Sequence, residues 1–253
     1  MQKLKNYLGT VIMIGCFMFS GAFCAKYGLA IEDENTGLSL IVLGGLLLSL
    51  YLIIAIHIVL HEGGHLIAGL LTGYEFVSFR IGNFAVIKGT DGRLHLKKMM
   101  VLGTAGQCLL APPKVKTDEY PYKLYHLSGG LINIIIGLLG LLFGLAVAPK
   151  GSLAEFFLLE FAILGLGLGI SNLLPFTRGV DGANLYELMH SKQARKCMYL
   201  VLEVNARLTV ANSLDDIPSK LKDEITSMDF TDMDLTQVSV ANLMNYPVIF
   251  CFS

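Results

Sequence analysis

The sequence predicts a polytopic α-helical membrane protein with about four transmembrane helices, a small cytoplasmic β-hairpin or sheet and a helical C-terminal tail. Of 253 residues, 54% are hydrophobic and only 15% charged, where a soluble globular domain carries about a quarter. Mean hydropathy is +0.62. The charge deficit is concentrated in four apolar runs, residues 7–25, 38–60, 124–148 and 153–174. Each is long enough to cross a hydrocarbon core of about 30 Å.

The first run follows Lys3 and Lys5 and precedes Lys26. It is expected to remain as a helix: it is long for a signal-peptide core, and Ala22-Phe23-Cys24 makes a poor cleavage site. The second run carries no charge until His61 and Glu62, and the fourth carries Glu155 and Glu160 near its start. Basic residues set the orientation. Residues 26–37 hold Lys26 against Glu32, Asp33 and Glu34 and read as external, whereas residues 73–123 hold eight basic residues against four acids and read as cytoplasmic. Both termini are then cytoplasmic, and the expected location is a bacterial plasma membrane.

Three divisions follow: residues 1–37, an N-terminal helix and external loop; 38–182, a membrane core with a β-hairpin region at 73–98; and 183–253, a cytoplasmic helical tail. Within the hairpin region, 74–81, 84–88 and 93–97 have strand character, and Gly89-Thr90-Asp91-Gly92 is a turn. Residues 99–111 are apolar but too short to span, so they are expected to re-enter or lie in the interface. The tail reads as amphipathic helix with breaks near Ser213 and Pro218. Glu160 is expected to face the bundle without a catalytic duty.

Composition excludes some functions. The formal net charge of −1, with no basic run or aromatic platform, gives no basis for nucleic-acid binding. Cys16, Cys24, Cys108, Cys197 and Cys251 are odd in number and scattered, which fits neither a disulfide framework nor a cysteine zinc site.

His61-Glu62-Gly63-Gly64-His65 carries the chemistry. Residues four apart on a helix share one face about 6 Å apart along the axis, so both imidazoles reach one metal ion. Glu62 stands beside them, placed to take a proton from an attacking water. Two histidines and a glutamate at the inner end of a long apolar run are costly unless they serve a site. A catalytic zinc site needs a third protein ligand. The residues just downstream, Leu66 to Leu70, supply none. His57, one turn upstream, is a conceivable ligand, but three ligands on successive turns of one straight helix do not easily converge on one ion.

A second segment is more informative. Asn172-Leu173-Leu174-Pro175, followed by Asp181-Gly182, resembles the second signature of the site-2 protease family. Ser128-Gly129-Gly130, followed by Asn133, resembles the glycine-rich stretch on that family's intervening helix. The order of elements is similar too, over roughly residues 38–186. The chain has five residues between Pro175 and Asp181, one more than the family usually has, and Ala183 where a second glycine is common.

The resemblance implies an intramembrane zinc metalloendopeptidase with one Zn²⁺ per chain held by His61, His65 and Asp181. Glu62 would be the catalytic base, and Asn133 and Asn172 the donors to a substrate carbonyl or oxyanion. Physical arguments run the same way. Pro175 cannot donate to the carbonyl of Ser171, which frees the chain to turn back. A zinc ion with Asp181 and ionised Glu62 would also be close to neutral, the cheapest charge state at membrane depth. The implied partners are a transmembrane protein or peptide substrate and the lipid bilayer, with no nucleic acid. The alternative from another class is a non-catalytic membrane scaffold related to site-2 proteases, which has no need of Glu62.

Overall fold

A computed structural model describes residues 7–29, 36–99, 104–177, 179–210, 217–229 and 238–243. Lys3, Lys5, Glu32, Asp33, Glu34, Arg178, the expected break near Ser213 and the last residues of the tail lie outside them. The long apolar helices are α1 (Leu8–Leu29), α2 (Thr36–Leu71), α3 (Tyr122–Ala146) and α4 (Leu153–Leu173). Among the described residues, three stretches are long and apolar enough to cross a membrane: Gly44–Leu71 of α2, α3 and α4. The apolar stretch of α1, Leu8–Ala22, is shorter.

The second apolar run ends at residue 60 in sequence, but α2 continues through the histidine motif to Leu71, 36 residues in all. At 1.5 Å per residue it is about 54 Å long, so it carries His61 and His65 past the apolar run without a break. The helix stops where Gly73 adopts φ +88°. There the Tyr74 N–H donates to Gly69 O at 3.0 Å and the Gly73 N–H to Leu70 O at 3.3 Å. This paired closure satisfies the last carbonyls and requires a left-handed residue that glycine adopts without strain.

Helix α3 packs between α2 and α4. The α3–α4 contact is close because small residues face each other: a Cβ on Gly169 would stand 2.7 Å from Gly130 O. Such backbone approach is how helices associate where lipid removes the hydrophobic driving force. Ser152 caps α4 by accepting from the Glu155 N–H at 3.2 Å, and the Glu155 carboxylate accepts in turn from the Gly151 N–H at 2.6 Å. Helix α1 lies mainly against α4. There Ser20 donates to Glu160, which is fully buried and does face the bundle.

Between α2 and α3 the chain forms an antiparallel sheet of β1 (Glu75–Ile81), β2 (Phe84–Lys88), β3 (Leu94–Lys98) and β4 (Gly106–Ala111), in the order β3-β2-β1-β4. Three strands match the expectation to within a residue. The fourth corrects it. Residues 106–111, expected in a segment that re-enters or lies in the interface, instead pair with β1, Phe79 opposite Cys108 and Arg80 opposite Gln107; residues 100–103 lie outside the described residues. Cys108, Leu109 and Leu110 are consecutively buried, so the strand lacks the alternation that marks a half-exposed one. Arg80, nearly fully buried, donates to Gly82 O at 2.6 Å and to Gly106 O at 3.3 Å, tying the approach to β4 against the first hairpin. At the other edge, every residue of β3 is exposed.

The tail begins as α5 (Asp181–His190) and α6 (Lys192–Val210), followed by α7 (Ser219–Thr226) and α8 (Val238–Leu243). Met198 and Leu202 of α6 pack with Val77, Leu109, Leu110 and Tyr125 in one apolar cluster. The tail thereby covers the sheet and braces the helix ends that carry the site.

Candidate metal centre

Helix α2 presents His61 and His65 one turn apart, as their spacing requires. Their Nε2 atoms stand 3.2 Å apart. Asp181, the first residue of α5, brings Oδ2 to 3.2 Å from His61 Nε2 and 3.1 Å from His65 Nε2. The three ligand atoms form a nearly equilateral triangle. Atoms held about 2.0–2.1 Å from a tetrahedral zinc ion lie about 3.3 Å from one another, so this triangle has the size and the N₂O donor set that zinc takes.

The local backbone explains why Asp181 arrives there. Helix α4 ends at Leu173, and Leu174 is extended (φ −67°, ψ 126°), as the residue before a proline must be. The chain turns, and α5 starts with its first turn pressed on the end of α4. A Cβ on Gly182 would lie 2.2 Å from Leu173 O, so the glycine after Asp181 is a steric requirement. Across this connection Asp181 stays in reach of both histidines.

Protonation is set by neighbours. His65 Nδ1 faces Tyr125 O at 2.7 Å. A carbonyl only accepts, so Nδ1 carries the proton and Nε2 keeps the lone pair a metal needs. Burial pushes the Asp181 carboxyl up, but the imidazoles of His126, His61 and His65 outweigh it and hold the group well below the usual carboxylate range. A carboxylate must be deprotonated to hold a metal, and this surrounding favours that form. The other oxygen of Asp181, Oδ1, stands 3.8 Å from His126 Nδ1. His126 is almost fully buried, and its ring nitrogens have no hydrogen-bond partner among the described residues.

Glycines let the elements close on the site. A Cβ on Gly129 of α3 would fall 2.4 Å from His65 Nε2 and 2.7 Å from His61 Nε2. A Cβ on Gly106 of β4 would fall 2.8 Å from Glu62 Oε1, so the carboxylate of Glu62 lies against the start of that strand. Glu62 and His61 open on a cleft of about 530 Å³. Its other walls include residues 104–106, His57, Asn133 and Asn172, and Gly9, Thr10 and Met13 of α1.

The sequence candidates fare differently. His61, His65 and Asp181 come together, and Glu62 faces the cleft beside them. Asn172 is at the cluster: its amide donates to Asp181 Oδ2 and lies 3.3 Å from His61 Nε2. Asn133 lines the cleft, but its carboxamide is engaged by His57 Nδ1 at 3.3 Å. His57 is not a ligand in this arrangement. Its Nε2 faces Phe161 O at 3.0 Å, and the ring is fully buried between α2 and α4.

Sequence reasoning passed over Tyr125 and His126. The signal for His126 was an ionisable residue at the start of an apolar span. Tyr125 acts through its backbone carbonyl, which no side-chain pattern reveals.

No family model matches this chain, and no curated protein or solved structure matches it.

Proposed function

We propose that this protein is an intramembrane zinc metalloendopeptidase of the site-2 protease type, hydrolysing peptide bonds of membrane-spanning substrates within or near the bilayer. The observation that carries the reading is the convergence of His61 and His65 with Asp181, 116 positions beyond His65, on one triangle of atoms that could hold a metal, beside Glu62. A scaffold would have no use for a carboxylate at that place, since Glu62 contributes no ligand atom to the cluster.

One zinc ion per chain would be held by His61, His65 and Asp181 and would polarise the scissile carbonyl and the attacking water. The residues of the chain do the rest. Glu62 takes the proton from the water and returns it to the leaving amine nitrogen. Asn172 keeps one amide hydrogen on Asp181 and offers the other to the developing oxyanion. The cleft admits an unwound segment, and β4, the edge strand whose start lines the cleft, is the strand placed to pair with that segment.

In this reading α1 also spans the membrane, giving four spans with both termini and the sheet in the cytoplasm of a bacterial cell. The basic excess of residues 73–123 supports that orientation. Reconstitution tests the reaction: the protein in liposomes should cleave a transmembrane model substrate, lose activity to a zinc chelator and regain it with zinc. Cleavage that survives full removal of metal would refute the reading.

A further inference from the structure

His57 is fully buried between membrane helices, lies outside the ligand triangle and has no role in the mechanism above. The structure nevertheless makes a place for it. A Cβ on Gly165 of α4 would stand 2.4 Å from His57 Cε1, so only glycine leaves room for the ring. The imidazole also stacks on Phe161 with centroids 4.1 Å apart.

Its two nitrogens face different partners. Nε2 meets Phe161 O at 3.0 Å. That oxygen, inside α4, can only accept, so Nε2 carries a proton. No carboxylate hydrogen-bonds to the ring among the described residues, and an imidazolium there would be a buried charge without a counter-ion. The ring is therefore neutral, and Nδ1 is bare. Nδ1 lies 3.3 Å from Asn133 Oδ1, but an oxygen cannot donate and a bare nitrogen needs a donor. The two ends of a carboxamide are alike in shape, so hydrogen-bond logic decides between them. By that logic the carboxamide is turned end for end, so that its amide nitrogen meets His57.

We propose that His57 is a positioning residue that turns Asn133 so that its carbonyl oxygen, an acceptor, is presented to the cleft. The ligand for that oxygen is a backbone N–H of an extended peptide segment. The inference rests on the peptidase reading for its substrate and revises the expectation that Asn133 is an oxyanion donor. The two asparagines then divide the work: Asn172 supplies the N–H for the oxyanion, and Asn133 accepts from the peptide backbone.

The two roles differ in kinetics. An oxyanion donor acts in the transition state, so its loss lowers kcat. An acceptor for a substrate N–H holds the peptide in the ground state as well, so its loss raises KM.

The test uses full-length protein with ¹⁵N-labelled histidine in lipid. The His57 signals, identified by their absence in His57→Leu, should show a protonated Nε2 and a bare Nδ1, and the Nδ1 resonance should move in Asn133→Leu. A protonated Nδ1, or a resonance indifferent to Asn133, overturns the proposal even if no substrate is ever cleaved. In the cleavage assay His57→Leu should keep full zinc content and raise KM about 10- to 100-fold, the usual size of losing an orienting partner. His57→Asn, which restores an acceptor near the Nδ1 position, should recover much of that loss. Loss of zinc, or a fall in kcat at unchanged KM, overturns the proposal. If wild type cleaves no substrate while the tautomer is as stated, the peptidase reading fails and the positioning of Asn133 stands.

Discussion

His65 Nε2 stands 3.1 Å from Asp181 Oδ2, although 116 residues of chain separate them. Two carbonyl contacts flank this approach. Tyr125 O fixes the proton of His65 on Nδ1, and Leu173 O is pressed by the turn that begins with Asp181 and Gly182. The ligand triangle is thus held by backbone as much as by side chains, and its weak points can be named.

The first is the carboxylate. Asp181→Ala should leave two imidazoles and an open face, so purified protein should retain far less zinc than wild type. His57→Ala, whose ring nitrogens are engaged by Asn133 and Phe161, should retain it. Metal analysis of both variants decides the third ligand; zinc lost only in His57→Ala would move that role to His57.

Gly129 gives a steric test. A Cβ there would lie 2.4 Å from His65 Nε2, so Gly129→Ala should displace the imidazoles and reduce both zinc content and cleavage. Gly44→Ala on α2 meets nothing within 4 Å, and a helix-interior glycine replaced by alanine gains up to about 1 kcal/mol. That variant should be at least as heat-stable as wild type. Equal zinc in wild type and Gly129→Ala would show that the site is looser than its geometry.

His126 Nδ1 stands 3.8 Å from Asp181 Oδ1, and its ring nitrogens have no hydrogen-bond partner among the described residues. Partners of metal-ligating carboxylates tune affinity by about 10- to 100-fold. His126→Phe should therefore hold zinc more weakly by that factor in competition with a chelator, with the fold intact by thermal unfolding. Unchanged affinity would reduce His126 to a packing residue.

How much of this was legible in the sequence follows from what each residue depends on. His61, Glu62 and His65 depend only on helical spacing, so their arrangement could be read directly. Asp181 needed the resemblance of residues 172–182 to a known signature, because nothing in residue spacing predicts which loop returns to α2. Strand β4 was hidden because Cys108, Leu109 and Leu110 are buried in succession, a pattern shared by short helices and inserted segments. The partners of His57, Asn133 and His126 come from other helices, so their roles appear only when α2, α3 and α4 are packed.

Orientation has its own test. In intact cells, a thiol reagent that cannot cross the membrane should fail to label Thr90→Cys in the β2–β3 turn, with Cys16, Cys24 and Cys251 replaced by serine. The native Cys108 and Cys197 thiols, pushed by burial up to about 12 and about 11, will stay silent in the same assay. Efficient labelling at position 90 would invert the topology.

The central claim is that Glu62 moves the proton in peptide hydrolysis, and Glu62→Gln tests it most directly. Glutamine keeps the size and hydrogen bonding of the side chain beside β4 but cannot accept the proton. General acid–base catalysis contributes about 10²–10⁴-fold, and in the proposed mechanism one residue serves both transfers, so the loss should reach the upper end of that range. The measurement is cleavage of a membrane-spanning model substrate in liposomes, with zinc quantified on the same samples. The account predicts near-normal zinc and cleavage lowered about 10⁴-fold; zinc-loaded Glu62→Gln cutting at the wild-type rate would contradict it.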